Sequence, residues 1–92
     1  MTGGDIFKII NDNEEYSDFY KNDKIFKNTI DAFIDAADEG PEKIANITVN
    51  MVYCFQFIFS TILTTIVDCN DQKTIDAVNN VMTKLMSEYD KE

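Results

Sequence analysis

The sequence predicts an all-α fold: a small bundle of three to four helices with one long uncharged central helix. Three observations lead there. Apolar residues recur at steps of three and four along most of the chain. Gly40-Pro41 supplies a C′ glycine followed by an N1 proline, the punctuation that ends one helix and starts another. The 24 residues 44–67 carry no charge and no Gly or Pro to divide them. At 92 residues, without an internal repeat, linker or low-complexity stretch, the chain is read as a single acidic helical domain, residues 1–92.

Taken in order, Asp5 is read as the cap of a short helix carrying Ile6, Ile9 and Ile10, which Asn11-Asp12-Asn13 then breaks. Residues 17–38 place Phe19, Tyr20, Ile25, Phe26, Ile30, Phe33, Ile34 and Ala37 at helical spacing from Ile25 onward. Asn22-Asp23 interrupts this stretch, with Asp23 capping a helix that begins near Lys24. The uncharged segment has three competing readings. As a strand, Ile47, Val49, Met51, Tyr53, Phe55, Phe57 and Phe59 alternate, and half of the 24 residues are β-branched. Strands, however, usually run for about 5–6 residues. As a membrane span the length suffices, yet eight of the 24 residues are polar, Glu42 and Asp68 flank the segment, and no lysine cluster sets an orientation. As a helix, Met51, Val52, Phe55, Ile58, Phe59, Ile62, Leu63 and Ile66 form one stripe. The Gly40-Pro41 start favours the helix, and that reading is taken. A last helix carries Ile75, Val78, Met82, Leu85 and Tyr89, with Asp71 or Thr74 as its cap.

The long helix has a second face, formed by Asn46, Asn50, Tyr53, Phe57, Ser60, Thr61 and Thr64, that also lacks charge. A surface helix normally turns Lys and Glu outward, so this face is expected to be covered by a second subunit. The expected interface of the homo-oligomer is Asn50, Tyr53, Phe57, Thr61 and Thr64, anchored by the two aromatics.

Composition limits the chemistry. Without histidine there is no Ser-His-Asp or Cys-His arrangement, and without arginine there is no bidentate phosphate clamp. No metal site, cofactor or enzymatic activity is expected. Asp68-Cys69-Asn70-Asp71-Gln72-Lys73 is rejected as a calcium loop, since position six is Lys73 rather than glycine and position twelve is Asn79 rather than glutamate. Cys54 and Cys69 would lie roughly 22 Å apart on one helix, too far to bridge, so both are expected to be free thiols. With no signal-peptide pattern at the start, a cytoplasmic location is expected, and the Asn46-Ile47-Thr48 sequon carries no weight there.

Charge points to the partner. At a net −9 the chain repels nucleic acid and anionic lipid, so a basic protein surface is expected instead. Residues 5–42 hold 11 acids and 4 lysines, while residues 43–92 hold 6 acids and 4 lysines. Asp31, Asp35, Asp38, Glu39 and Glu42 recur at helical spacing and form the candidate partner-binding face. Asp38 and Glu39 fall at a helix C-terminus, where the macrodipole opposes negative charge. A solvated face that keeps the chain soluble is the plainer reading of these acids. Tyr16, Tyr20, Lys24 and Lys27 form an aromatic and basic stripe suited to a small nucleotide, weighed against pairing of the lysines with neighbouring acids. Lys, Asn and Ile make up 29 of the 92 residues, a bias toward A/T-rich codons that is common in phages and mobile elements. The expected role is therefore an inhibitor or regulator that blocks a basic, nucleic-acid-binding type of surface. The alternatives are a nucleotide-sequestering protein and a membrane-associated protein built on residues 44–67.

Overall fold

The computed structural model describes residues 1–52 and 55–90, with the side chains of Tyr89 and Asp90 outside the description. It is all-helical: α1 (Gly3–Asp12), α2 (Glu14–Asn22), α3 (Lys24–Glu39), α4 (Pro41–Met51), α5 (Gln56–Cys69) and α6 (Gln72–Asp90). Among the described residues six helices replace the expected three to four, and at two of the joints a single polar residue is the reason. The Asn13 N–H bonds back to the Ile9 carbonyl at 3.2 Å, closing α1, while its side chain accepts from the Tyr16 N–H at 3.1 Å, opening α2. Asp23 repeats the device, donating to the Phe19 carbonyl at 2.8 Å and accepting from the Phe26 N–H at 3.0 Å. A short Asn or Asp side chain competes with the backbone in this way, so each joint needs only one residue. The Asp23 joint is where the sequence put it. At α1 the cap is Thr2 rather than Asp5: the Thr2 hydroxyl accepts from the Asp5 N–H at 3.2 Å, and the Asp5 carboxylate accepts from the Thr2 N–H at 3.0 Å. Asp5 thus completes a capping box from its third position.

The expected long helix is two helices. α4 ends at Met51 with Val52 as its C-cap, and α5 begins after Phe55, whose backbone (φ −141°, ψ 72°) is not helical. An unbroken helix over residues 41–69 would be about 43 Å long, exceeding the 41 Å length of the molecule. The break lets both halves lie against α3. Tyr53 and Cys54, at this junction, lie outside the described residues.

The central element is therefore α3, which touches α1, α2, α4 and α5. Its Phe26, Ile30, Phe33, Ala36 and Ala37 are buried, following the spacing read from Ile25 onward. Ile6 and Ile10 of α1, Ile44 and Ala45 of α4, Ile58, Ile62 and Ile66 of α5 and Val78 of α6 complete the core. α6 packs chiefly on α4 and is capped by Asp71, which accepts from the Lys73 N–H at 3.1 Å and the Thr74 N–H at 3.4 Å.

The inward stripe of α5 is Ile58, Thr61, Ile62, Thr65 and Ile66, whereas Phe55 is exposed. The threonines can enter because each hydroxyl bonds one turn back: Thr61 to the Phe57 carbonyl at 2.9 Å, Thr65 to the Thr61 carbonyl at 2.8 Å. Thr48 does the same to Ile44 at 2.8 Å in α4. With the hydroxyl satisfied, a threonine presents its methyl group to the core.

Gly40 joins α3 to α4 with φ +130°, a conformation that disfavours any side chain, and Pro41 opens α4 as the sequence predicts. Asn70 ends α5 in the left-handed region at φ 53°, where asparagine is tolerated. No helix among the described residues is long and apolar enough to cross a membrane.

Candidate functional site

Along α3 the acids of the candidate face divide into two groups. Asp31 turns toward α2, where it accepts from the Tyr20 hydroxyl at 2.6 Å and from Lys27 Nζ at 2.9 Å. Both bonds stabilise the carboxylate, so the Asp31 pKa falls below its ordinary 3.8, the Tyr20 bond being the larger cause. The same bond raises the Tyr20 hydroxyl, and Asp31 raises Lys27. Asp38 accepts from the backbone N–H of Gly3 at 3.1 Å, at the first turn of α1. Its charge therefore sits on the positive end of the α1 dipole. The macrodipole conflict expected at the end of α3 is answered by a second helix for Asp38, which the sequence spacing could not reveal.

Asp31 and Asp38 thus each have a hydrogen-bond partner within the chain, while Asp38 stays exposed and the Asp31 side chain partly so. Asp35, Glu39 and Glu42 remain exposed, and none makes an ion pair among the described residues, where the pairs are Met1–Asp71 and Lys27–Asp31. Glu39 and Glu42 line a shallow groove of 850 Å³ between the α3–α4 corner and α6, together with Lys43, Lys73 and Asp76.

The aromatic and basic stripe is partly engaged within the chain. Tyr20 is held by Asp31, stacks edge-on against Phe7 at 6.2 Å, and lies 5.1 Å beneath the Lys27 ammonium. Tyr16 meets Phe57 edge-on at 6.3 Å, and Lys24 is exposed at the start of α3. These contacts fasten α2, which has no buried residue, onto its neighbours. Lysine pairing with an acid is the arrangement found for Lys27.

A pH consequence follows. With its folded pKa depressed, Asp31 contributes stability that is complete above its unfolded value and is lost as the pH falls through the folded pKa. Tyr20→Phe removes the larger cause, so the fall in Tm between about pH 5 and pH 2 should become shallower. The carboxylate is 41% exposed, so solvent screening keeps this effect small. An identical acid limb in wild type and Tyr20→Phe would show that the bond does not contribute.

The residues expected at the subunit interface also separate. Phe57 is 42% exposed and Asn50 and Thr64 are exposed, but Thr61 is turned into the chain's own core at 1%. Tyr53 falls outside the described residues. Sequence reasoning missed the surroundings of Phe57. Its ring lies 4.7 Å from Phe19 and 5.9 Å from Phe26, and with Ile25, Phe55 and Ile58 these form a mostly apolar groove of 380 Å³ that Asp23 and Gln56 also line. Phe19 and Phe26 read as core residues of adjoining helical stretches; the bend at Asp23 is what brings Phe19 to the surface beside α5. Cys69 is a half-buried free thiol whose pKa is pushed up by burial, which keeps it protonated and a poor nucleophile. Among the described residues no three Asp, Glu or Cys side chains converge as a metal centre requires.

In comparisons with known proteins, no family model, curated protein or solved structure matches this chain.

Proposed function

We propose that the chain is a non-enzymatic, homo-oligomeric regulator that binds and blocks a basic protein surface of the kind that holds nucleic-acid phosphates. One observation carries the reading. Asp35, Glu39 and Glu42 are exposed at the α3–α4 corner without an ion pair among the described residues, while their neighbours Asp31 and Asp38 are tied into the fold. Glu39 lies at the C-terminal end of α3, where negative charge costs stability, so its presence fits binding better than folding. Self-association through Asn50, Phe57 and Thr64, which are exposed, belongs to the same reading, with Thr61 buried and Tyr53 outside the described residues.

The test uses a lysine-rich peptide as probe and two triple variants that remove the same number of charges. Asp35→Asn/Glu39→Gln/Glu42→Gln should weaken peptide binding by at least about tenfold in low salt. It should leave Tm unchanged or raised. Asp12→Asn/Asp18→Asn/Glu88→Gln, at exposed acids elsewhere, should weaken it far less. Binding of the wild type should fall steeply between about 50 mM and 500 mM NaCl. Equal losses in the two triple variants would mean that net charge alone attracts the probe, and the corner would then have no special role.

A further inference from the structure

We propose that two copies of this chain meet across α5, packed antiparallel about a two-fold axis, with the aromatic groove extending the contact at each end. The inference rests on the self-association in the reading above and not on its basic partner. One face of α5 presents Phe57, Ser60, Thr64 and Val67, all exposed, at steps of three, four and three. That is the spacing of a helix–helix seam. Val67, at 65% exposure, is the most open of the large hydrophobics among the described residues, and Phe57 stands at the other end of the stripe at 42%. Phe19, Ile25 and Phe55 continue the apolar surface beyond Phe57 at 38%, 54% and 39% exposure.

Charge selects the occupant. A chain of net −9 repels its own copy wherever acids face acids, so a like-to-like contact is favourable only where the surface carries none. The exposed stripe of α5 carries none, lying in the uncharged segment bounded by Lys43 and Asp68, and Asp23 at the groove is the one acid that this contact must leave in solvent. A basic partner would gain from the acids elsewhere and nothing from this stripe. The antiparallel register follows from the spacing. Centred between Ser60 and Thr64, the two-fold sets Phe57 against Val67 of the second copy and Ser60 against Thr64, so small residues meet where the axes are closest. Asp68 then faces the uncharged Gln56, whereas a parallel pair would set Asp68 against Asp68. The exposed parts of the groove and of Ser60, Thr64 and Val67 amount together to roughly 500 Å², less than the ~800 Å² per partner of a standard interface, so the dimer is expected to be weak.

Sedimentation equilibrium of the full chain tests this. The wild type should dimerise at tens of micromolar, more tightly in about 500 mM than about 50 mM NaCl, because salt screens the mutual repulsion. That dependence is opposite to the one expected for a basic partner. Val67→Glu and Ser60→Lys alter exposed side chains and should each weaken the dimer by at least about tenfold, with helical circular dichroism unchanged. Mixing Ser60→Lys with Thr64→Glu should recover a dimer, since the antiparallel register brings the two charges together. A wild type that stays monomeric in both salts overturns self-association altogether. A wild-type dimer indifferent to both single variants overturns the α5 contact only, and a mixture that stays monomeric overturns the antiparallel register.

Discussion

Gly3→Ala is expected to cost about 1–3 kcal/mol of stability, whereas Gly4→Ala, one residue later, should be neutral or stabilising by about 0.4–1 kcal/mol. The two glycines look equivalent in the sequence and both lie in the first turn of α1. They differ in what a methyl group would meet. At Gly3 a Cβ would sit 2.9 Å from Ile34 Cγ2, 2.9 Å from the Ile34 carbonyl oxygen and 3.2 Å from an Asp38 carboxylate oxygen. The carbonyl belongs to the α3 backbone and has little freedom to yield, so α1 would have to lift away. That movement would also stretch the bond from the Gly3 N–H to Asp38. At Gly4 the nearest atom is the Thr2 hydroxyl oxygen at 3.7 Å, an ordinary contact, and the residue is exposed. Alanine there only reduces the freedom of the unfolded chain. Urea denaturation of the two variants checks the contrast, and a Gly3→Ala chain as stable as wild type would mean that α1 does not approach α3 so closely.

Phe33→Ala should be the most damaging single truncation, at about 3–5 kcal/mol against a total stability of roughly 5–15 kcal/mol for a domain of ordinary stability. Phe33 is 0% exposed, at mid-helix in the element that touches four of the other five. Removing its ring leaves a cavity walled by several helices, and a cavity so enclosed collapses poorly. Phe33→Leu keeps most of the volume and should cost less than about 1.5 kcal/mol. Phe57→Ala offers the comparison: its ring is already 42% in solvent, so folding should suffer less, while self-association should suffer more. Similar losses of stability for Phe33→Ala and Phe57→Ala in urea would remove the distinction between core and contact.

Helix class and most helix boundaries were legible because they depend on nearby residues. The Gly40-Pro41 joint, the Asp23 cap and the buried series Phe26, Ile30, Phe33 and Ala37 are local patterns, and the structure bears them out. Asn13 was legible as a break, but not as the start of a further helix, because its cap differs from a loop only in side-chain geometry. The uncharged segment misled because its composition satisfies a helix throughout. Nothing local announces the non-helical backbone at Phe55.

What the sequence determined by itself is the all-α class, the surplus of acid and the absence of charge across residues 44–67, since each depends on residue type and spacing alone. Tertiary structure decided which acids find a hydrogen-bond partner within the chain. Asp31 and Asp35 are one turn apart and chemically identical, yet Asp31 is held by Tyr20 and Lys27 while Asp35 is open. Asp38, next to Glu39, is claimed by a backbone N–H that lies 35 positions earlier in the chain. It likewise decided that Thr61 faces inward and that Phe19, Phe55 and Phe57 gather at the surface. The physical reason is range. Periodicity selects the face a helix presents, but the partner of each side chain on that face depends on where distant helices come to rest.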